Sequence, residues 1–79
     1  MNYYLGIDLG TSSTKTLLMD EAGTAVGISQ CAYDIIKRRP EEAEQDMELL
    51  WEAVKSTLAD LKNRFSKEME AVRCISYSG

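Results

Sequence analysis

Apolar positions in the first third of the chain recur every second residue. Tyr3, Leu5 and Ile7 alternate with Tyr4, Gly6 and Asp8, the period of a β-strand. A second strand is predicted from Thr14 to Asp20, with Lys15, Leu17 and Met19 on one face. Glu21-Ala22-Gly23 then predicts a short turn whose glycine supplies a left-handed residue. A third strand follows from about Thr24 to Tyr33, and Gly27 inside it marks a bulge or the close approach of another backbone. Three strands joined by short turns make an antiparallel meander.

Beyond the polar stretch Lys37-Arg38-Arg39-Pro40-Glu41-Glu42, where Pro40 stops any regular element, the period lengthens. Met47, Leu50, Trp51, Val54, Leu58, Leu61 and Phe65 form the apolar stripe of one long amphipathic helix, with Asp46 as its N-cap. Asp60 and Arg64 stand four apart in the favourable order. The meander needs a cover, so the stripe is predicted as core, Trp51 included, in preference to stacking on a ligand. Ala71 to Tyr77 is a fourth strand after a short loop. The order β-β-β-α-β defines an α/β unit.

Charge and cysteine content narrow the function classes. The 79 residues carry a net charge of −4, which gives no electrostatic footprint for nucleic acid. The basic triplet Lys37-Arg38-Arg39 has Asp34, Glu41 and Glu42 around it, the pattern of a solvated loop. Residues 1–40 balance their charges, so the acidic surplus belongs to the second half. There is no histidine, which excludes a Ser-His-Asp triad within this chain. Cys31 and Cys74 lack metal-ligand spacing and are predicted to be buried, reduced thiols. With no signal-like N-terminus and no membrane-length apolar run, a cytoplasmic protein is expected.

The chemistry is concentrated in Gly6-Ile7-Asp8-Leu9-Gly10-Thr11-Ser12-Ser13-Thr14-Lys15. An acid at the end of a strand, followed by a turn of Gly, Thr and Ser, suits a metal-bound phosphate. Asp8 can hold Mg²⁺ directly or through water, since hard cations prefer oxygen ligands. Backbone N–H groups in the turn and the hydroxyls of Thr11, Ser12 and Ser13 can face phosphate oxygens. Gly10 permits positive φ and leaves no Cβ in a ligand's way. Lys15 can reach back to a phosphate as a point charge. The segment is no Walker loop, which requires a different spacing and leads into a helix.

Gly6-Ile7-Asp8-Leu9-Gly10-Thr11 resembles the first phosphate motif of the actin-like ATPase superfamily, which includes sugar kinases and heat-shock chaperones. Four further features resemble the FGGY carbohydrate kinases, the xylulokinases in particular. They are Lys15 after Ser12-Ser13-Thr14, the turn Asp20-Glu21-Ala22-Gly23, Ala43-Glu44-Gln45-Asp46 with Trp51 behind it, and Ile75-Ser76-Tyr77-Ser78-Gly79. The resemblance implies a ribonuclease-H-like (actin-like ATPase) fold of which residues 1–79 are the first, incomplete portion.

It further implies ATP and Mg²⁺ as cofactors, and transfer of the γ-phosphate to a hydroxyl of D-xylulose or a related sugar or polyol. Asp8 would hold the metal, with Gly10, Thr11, Ser12, Ser13 and Lys15 at the ATP phosphates. The catalytic Asp, the adenosine site and the sugar-binding residues are expected after Gly79, so this segment alone would be inactive. The implied partners are a small sugar and ATP, with no nucleic acid and no membrane, and a homodimer for the parent. Gluconate, ribulose and glycerol kinases are alternatives, as are chaperone- or filament-type ATPases.

Overall fold

Alternation at the N-terminus produces two strands, β1 (Tyr3–Leu9) and β2 (Ser13–Met19), in a computed structural model that describes residues 1–10, 12–33 and 43–78. They pair antiparallel with Leu5 opposite Leu18 and Ile7 opposite Thr16. The predicted turn follows, with Gly23 at φ 83°. Asp20 closes it, its Oδ1 accepting the amides of Ala22 at 2.9 Å and Thr24 at 3.0 Å. Strand β3 (Ala25–Ala32) then returns antiparallel to β2, completing the meander.

The chain next forms α1 (Ala43–Arg64), α2 (Ser66–Glu70) and β4 (Val72–Ser78). Strand β4 lies parallel to β1 on its free side, giving a mixed sheet in the order β3-β2-β1-β4. The α/β class and the strand–helix order of the sequence reading therefore hold. Among the described residues no helix is long and apolar enough to cross a membrane.

Helix α1 lies across one face of β2 and β3. Its buried residues Ala53, Val54, Thr57 and Leu61 meet Thr14, Thr16 and Leu18 of β2, all screened from solvent. Leu5, Leu18 and Leu61 form the centre, with Tyr3, Leu58, Phe65, Met69 and Val72 packed around them. Each fully buried leucine contributes roughly 1.5–3 kcal/mol, so this small cluster carries much of the cohesion. The C-terminal end of α1 is tied to the edge strand. Arg64 holds Asp60 through two hydrogen bonds, and its Nη2 also donates to the Ile28 carbonyl at 2.6 Å. That contact occupies a carbonyl of β3, an edge otherwise available for pairing.

Several expectations are corrected. The helix begins at Ala43, so Asp46 lies in its first turn and is not its N-cap. Ala43, Glu44 and Gln45 are themselves good helix formers, and acids near a helix N-terminus are favoured by its dipole. The predicted loop before β4 contains α2, too short for a periodic signal, held by the Met69 amide donating to the Phe65 carbonyl at 2.9 Å. Gly27 makes room for a side chain, not a backbone: an added Cβ would lie 2.6 Å from Cε2 of Phe65. A bulge accompanies it, because Leu18 pairs with Gly27 while Met19 pairs with Ala25.

Trp51 is 58% exposed, and Met47 and Leu49 are exposed with it. The stripe is core only from Ala53 onward; toward the start of α1, Met47, Leu50 and Trp51 border an open apolar hollow shared with Ile7, Leu9, Ile75 and Tyr77. The cysteines are free but not buried: Cys31 is half-buried and Cys74 exposed. Cys74 is paired with Tyr4, on the sheet face opposite α1. Thr11, Gly79 and the polar stretch around Pro40 lie outside the described residues.

Candidate functional site

Strand register decides which polar side chains share a surface. Asp8 is opposite Lys15 across β1 and β2, and opposite Ser78 across β1 and β4. Lys15 in turn is opposite Gln30 of β3. Alternation places this row on the sheet face that α1 leaves uncovered, since Ile7 and Thr16, one step away, are buried. Asp8 and Lys15 are both exposed. Beside the row lies a hollow of about 330 Å³, bordered by Gly6, Asp8, Leu17, Ser76 and Ser78. Gly6 keeps its floor low between bulkier neighbours.

The sequence reading groups Lys15 with Leu17 and Met19, and these do share the uncovered face. Opposite charges side by side on an open surface suit a ligand that carries both signs, such as a metal–phosphate complex. They are equally an ordinary cross-strand pair in the absence of one.

The β1–β2 connection turns tightly beside the row. Gly10 donates its amide to the Ser13 carbonyl at 2.9 Å. This amide is therefore committed within the turn. Gly10 does not adopt positive φ. Its glycine is required because a Cβ would lie 2.9 Å from the Ser13 carbonyl oxygen. Ser12 is exposed, and Ser13 is half-buried with its Oγ accepting from Gln30 Nε2 at 3.1 Å. Thr14 Oγ1 reaches back to the Asp8 carbonyl at 3.3 Å, tying the two strand ends together.

Tyr33, absent from the predicted site, is buried under this turn. Its hydroxyl donates to the Gly10 carbonyl and lies 3.2 Å from the Ser13 carbonyl, while its amide donates to the Ser12 carbonyl at 2.9 Å. Burial, and then the nearby Asp8 carboxylate, hold its phenol above the ordinary tyrosine range. The signal for Tyr33 was its place at the end of the third alternating run, which the hairpin returns to the start of β2.

Of the predicted residues, Asp8, Lys15 and Ser13 lie together on the uncovered face, with Gly10 and Ser12 in the adjoining turn. Among the described residues no group of three His, Cys, Asp or Glu side chains could enclose a metal. One carboxylate nevertheless fits Mg²⁺, which keeps several waters and commonly takes one or two carboxylates together with substrate phosphates.

Known proteins match this chain along its length. The xylulose kinase of Lactococcus lactis subsp. lactis (strain IL1403) is 39% identical over 79 residues, covering 100% of this chain and 16% of that protein. The glycerol kinase of Halalkalibacterium halodurans is 32% identical over 73 residues, covering 92% of this chain and 15% of that protein. In three dimensions, a xyloylose kinase from Brucella ovis superposes with a TM-score of 0.83 at 32% identity, over 99% of this chain and 16% of that one. The chain thus spans about 16% of the length of the first of these relatives. Residues 3–79 match the N-terminal domain of the FGGY family of carbohydrate kinases, and the chain belongs to that family.

Proposed function

We propose that this chain is the N-terminal portion of the first domain of an ATP-dependent carbohydrate kinase, and that it supplies the first phosphate- and Mg²⁺-binding loop. The observation that carries this reading is the pairing of Asp8 with Lys15 beside the 10–13 turn, on the uncovered sheet face of an FGGY-family chain. The match along residues 3–79 favours the kinases over the chaperone- and filament-type ATPases that share Gly-Ile-Asp-Leu-Gly-Thr.

In this reading Asp8 holds Mg²⁺ through oxygen, and Lys15 approaches the terminal phosphate of ATP. Ser12, Ser13, Gly10 and Thr11 form the remainder of the cradle. Bound there, the metal ion supplies neutralisation of charge on the phosphates. Phosphoryl transfer rests on positioning and electrostatics, so the segment's contribution is to fix the phosphates against a sugar hydroxyl. The proton acceptor for that hydroxyl and the adenosine pocket are assigned to the rest of the parent, and the 79 residues alone are inactive.

D-xylulose is the proposed acceptor, because the relative with 39% identity is a xylulose kinase. Glycerol is a second acceptor to test, given the glycerol kinase at 32% identity. The deciding experiment assays the full-length parent with MgATP and D-xylulose, glycerol or gluconate, following ADP release and sugar phosphate together. The highest kcat/KM is expected with D-xylulose. Phosphorylation of none of the three would remove the proposed function, and a clear preference for glycerol would reassign the acceptor.

A further inference from the structure

The 10–13 turn contains carbonyl oxygens as well as amides, and an exposed carbonyl repels a phosphate. Three of these acceptors are occupied from beneath by one residue. Tyr33 donates its amide to the Ser12 carbonyl at 2.9 Å and its hydroxyl to the Gly10 carbonyl. The Ser13 carbonyl lies 3.2 Å from the same hydroxyl and also accepts the Gly10 amide at 2.9 Å. Tyr33 is buried as a residue, and its hydroxyl contacts are partly screened from solvent. The turn is therefore held by the residue that directly follows β3, the strand farthest in the sheet order from β4.

We propose that Tyr33 is a positioning residue that latches the turn between β1 and β2, holding the Gly10, Ser12 and Ser13 carbonyl oxygens inward so that the outer surface of the turn accepts the phosphates of ATP. This rests on the reading of the turn as a phosphate site. The latch itself is a property of the hydroxyl and is separable from that reading. A tyrosine that merely filled space would be replaced by phenylalanine without consequence. A latch would not, because its single oxygen joins two carbonyls of the turn.

The test uses the full-length parent, its Tyr33→Phe variant and an Asp8→Ala control. Hydrogen exchange by mass spectrometry reads peptides spanning 9–14 and Tyr33, and calorimetry reads MgATP affinity. Loss of a hydrogen bond with a net worth of about 0.5–1.5 kcal/mol corresponds to roughly a two- to twelvefold change. Tyr33→Phe is therefore expected to exchange faster in both peptides and to bind MgATP several-fold more weakly, with the sugar KM within about twofold of wild type. In wild type, which avoids any folding defect of the variant, MgATP is expected to slow exchange in the two peptides together.

Unchanged exchange in Tyr33→Phe would overturn the latch. Faster exchange with unchanged MgATP affinity, while Asp8→Ala weakens binding, would overturn the positioning role and leave the phosphate site standing. If neither variant alters MgATP binding, the phosphate reading of the turn fails and the proposal falls with it.

Discussion

Thr16 of β2 and Thr57 of α1 share a 2.7 Å hydrogen bond at the buried contact between sheet and helix. Thr57 donates its own proton to the Val54 carbonyl at 2.7 Å, so Thr16 is the donor between the two. Both side chains are almost wholly screened from solvent. The bond fixes how α1 sits on the strand that also carries Lys15, on whose opposite face the candidate site lies. Packing and site are thus linked through alternate residues of β2.

The pair predicts an asymmetric response to deletion. Thr57→Val removes the acceptor and leaves the buried Thr16 hydroxyl without it, which is expected to cost about 1–3 kcal/mol. Thr16→Val leaves Thr57 bonded to Val54 and is expected to cost less, about 0.5–1.5 kcal/mol. The double variant should be less destabilised than the sum, since the orphaned hydroxyl is gone. Chemical denaturation of all four proteins measures the coupling, and strict additivity would show that the bond contributes nothing of its own.

This contact also marks where the sequence was legible and where it was not. The alternation of Tyr3, Leu5 and Ile7 and the three- and four-residue spacing from Val54 to Phe65 report burial against one partner, so strands and helix emerge from local pattern. Thr14, Thr16 and Thr57 are polar by type yet fully buried, because each hydroxyl is satisfied inside the fold. Such satisfaction depends on a residue 6 or 41 positions away, which no local pattern encodes. Trp51 errs in the opposite direction. Its spacing fits the stripe, but the indole borders an open hollow between α1 and the sheet and stays largely exposed, with Lys55 Nζ 5.9 Å from its ring. The strand–turn–strand around Asp8 was readable because its pattern is local, whereas Tyr33 reaches the turn only through the returning hairpin.

Acid should loosen the other end of α1. The Ser29 hydroxyl, first, and then Arg64 hold the Asp60 carboxyl below the usual carboxylate range. A depressed folded value favours the ionised form in the folded state. Its stabilisation is therefore present above the unfolded value of about 3.9 and is lost as pH falls through the lower folded value. Asp60→Asn is expected to melt below wild type at pH 6, with the gap closing toward pH 2–3. Melting curves across that range check it; a gap independent of pH would assign the effect to packing.

Asp8→Ala in the full-length parent is expected to lower kcat far more than it raises the sugar KM. A residue that holds a phosphate-bound cation acts chiefly on charge redistributed during transfer, and losing one such stabiliser costs on the order of 10²-fold or more. Steady-state kinetics with varied sugar at saturating MgATP make the measurement. Activity within about twofold of wild type would reduce Asp8 to a strand-end residue paired with Lys15.

Lys15→Ala separates a phosphate contact from a simple cross-strand pair. Lys15 is exposed and opposite Asp8, so a purely structural pairing predicts a stability change of no more than about 0.5 kcal/mol and unaltered nucleotide binding. A contact with the terminal phosphate predicts something different: ATP affinity falls more than ADP affinity, turnover drops, and folding stays nearly intact. We expect the second pattern. The same substitution also leaves Asp8 without a cationic neighbour, which by itself alters binding of any metal-bound nucleotide, ADP included. Comparing the two nucleotides removes that shared effect and isolates the γ-phosphate. Lys15→Arg restores the charge with a different geometry and is expected to recover much of the activity. Calorimetric titration of MgATP and MgADP against wild type and both variants decides the matter. Equal losses for the two nucleotides would take the γ-phosphate away from Lys15.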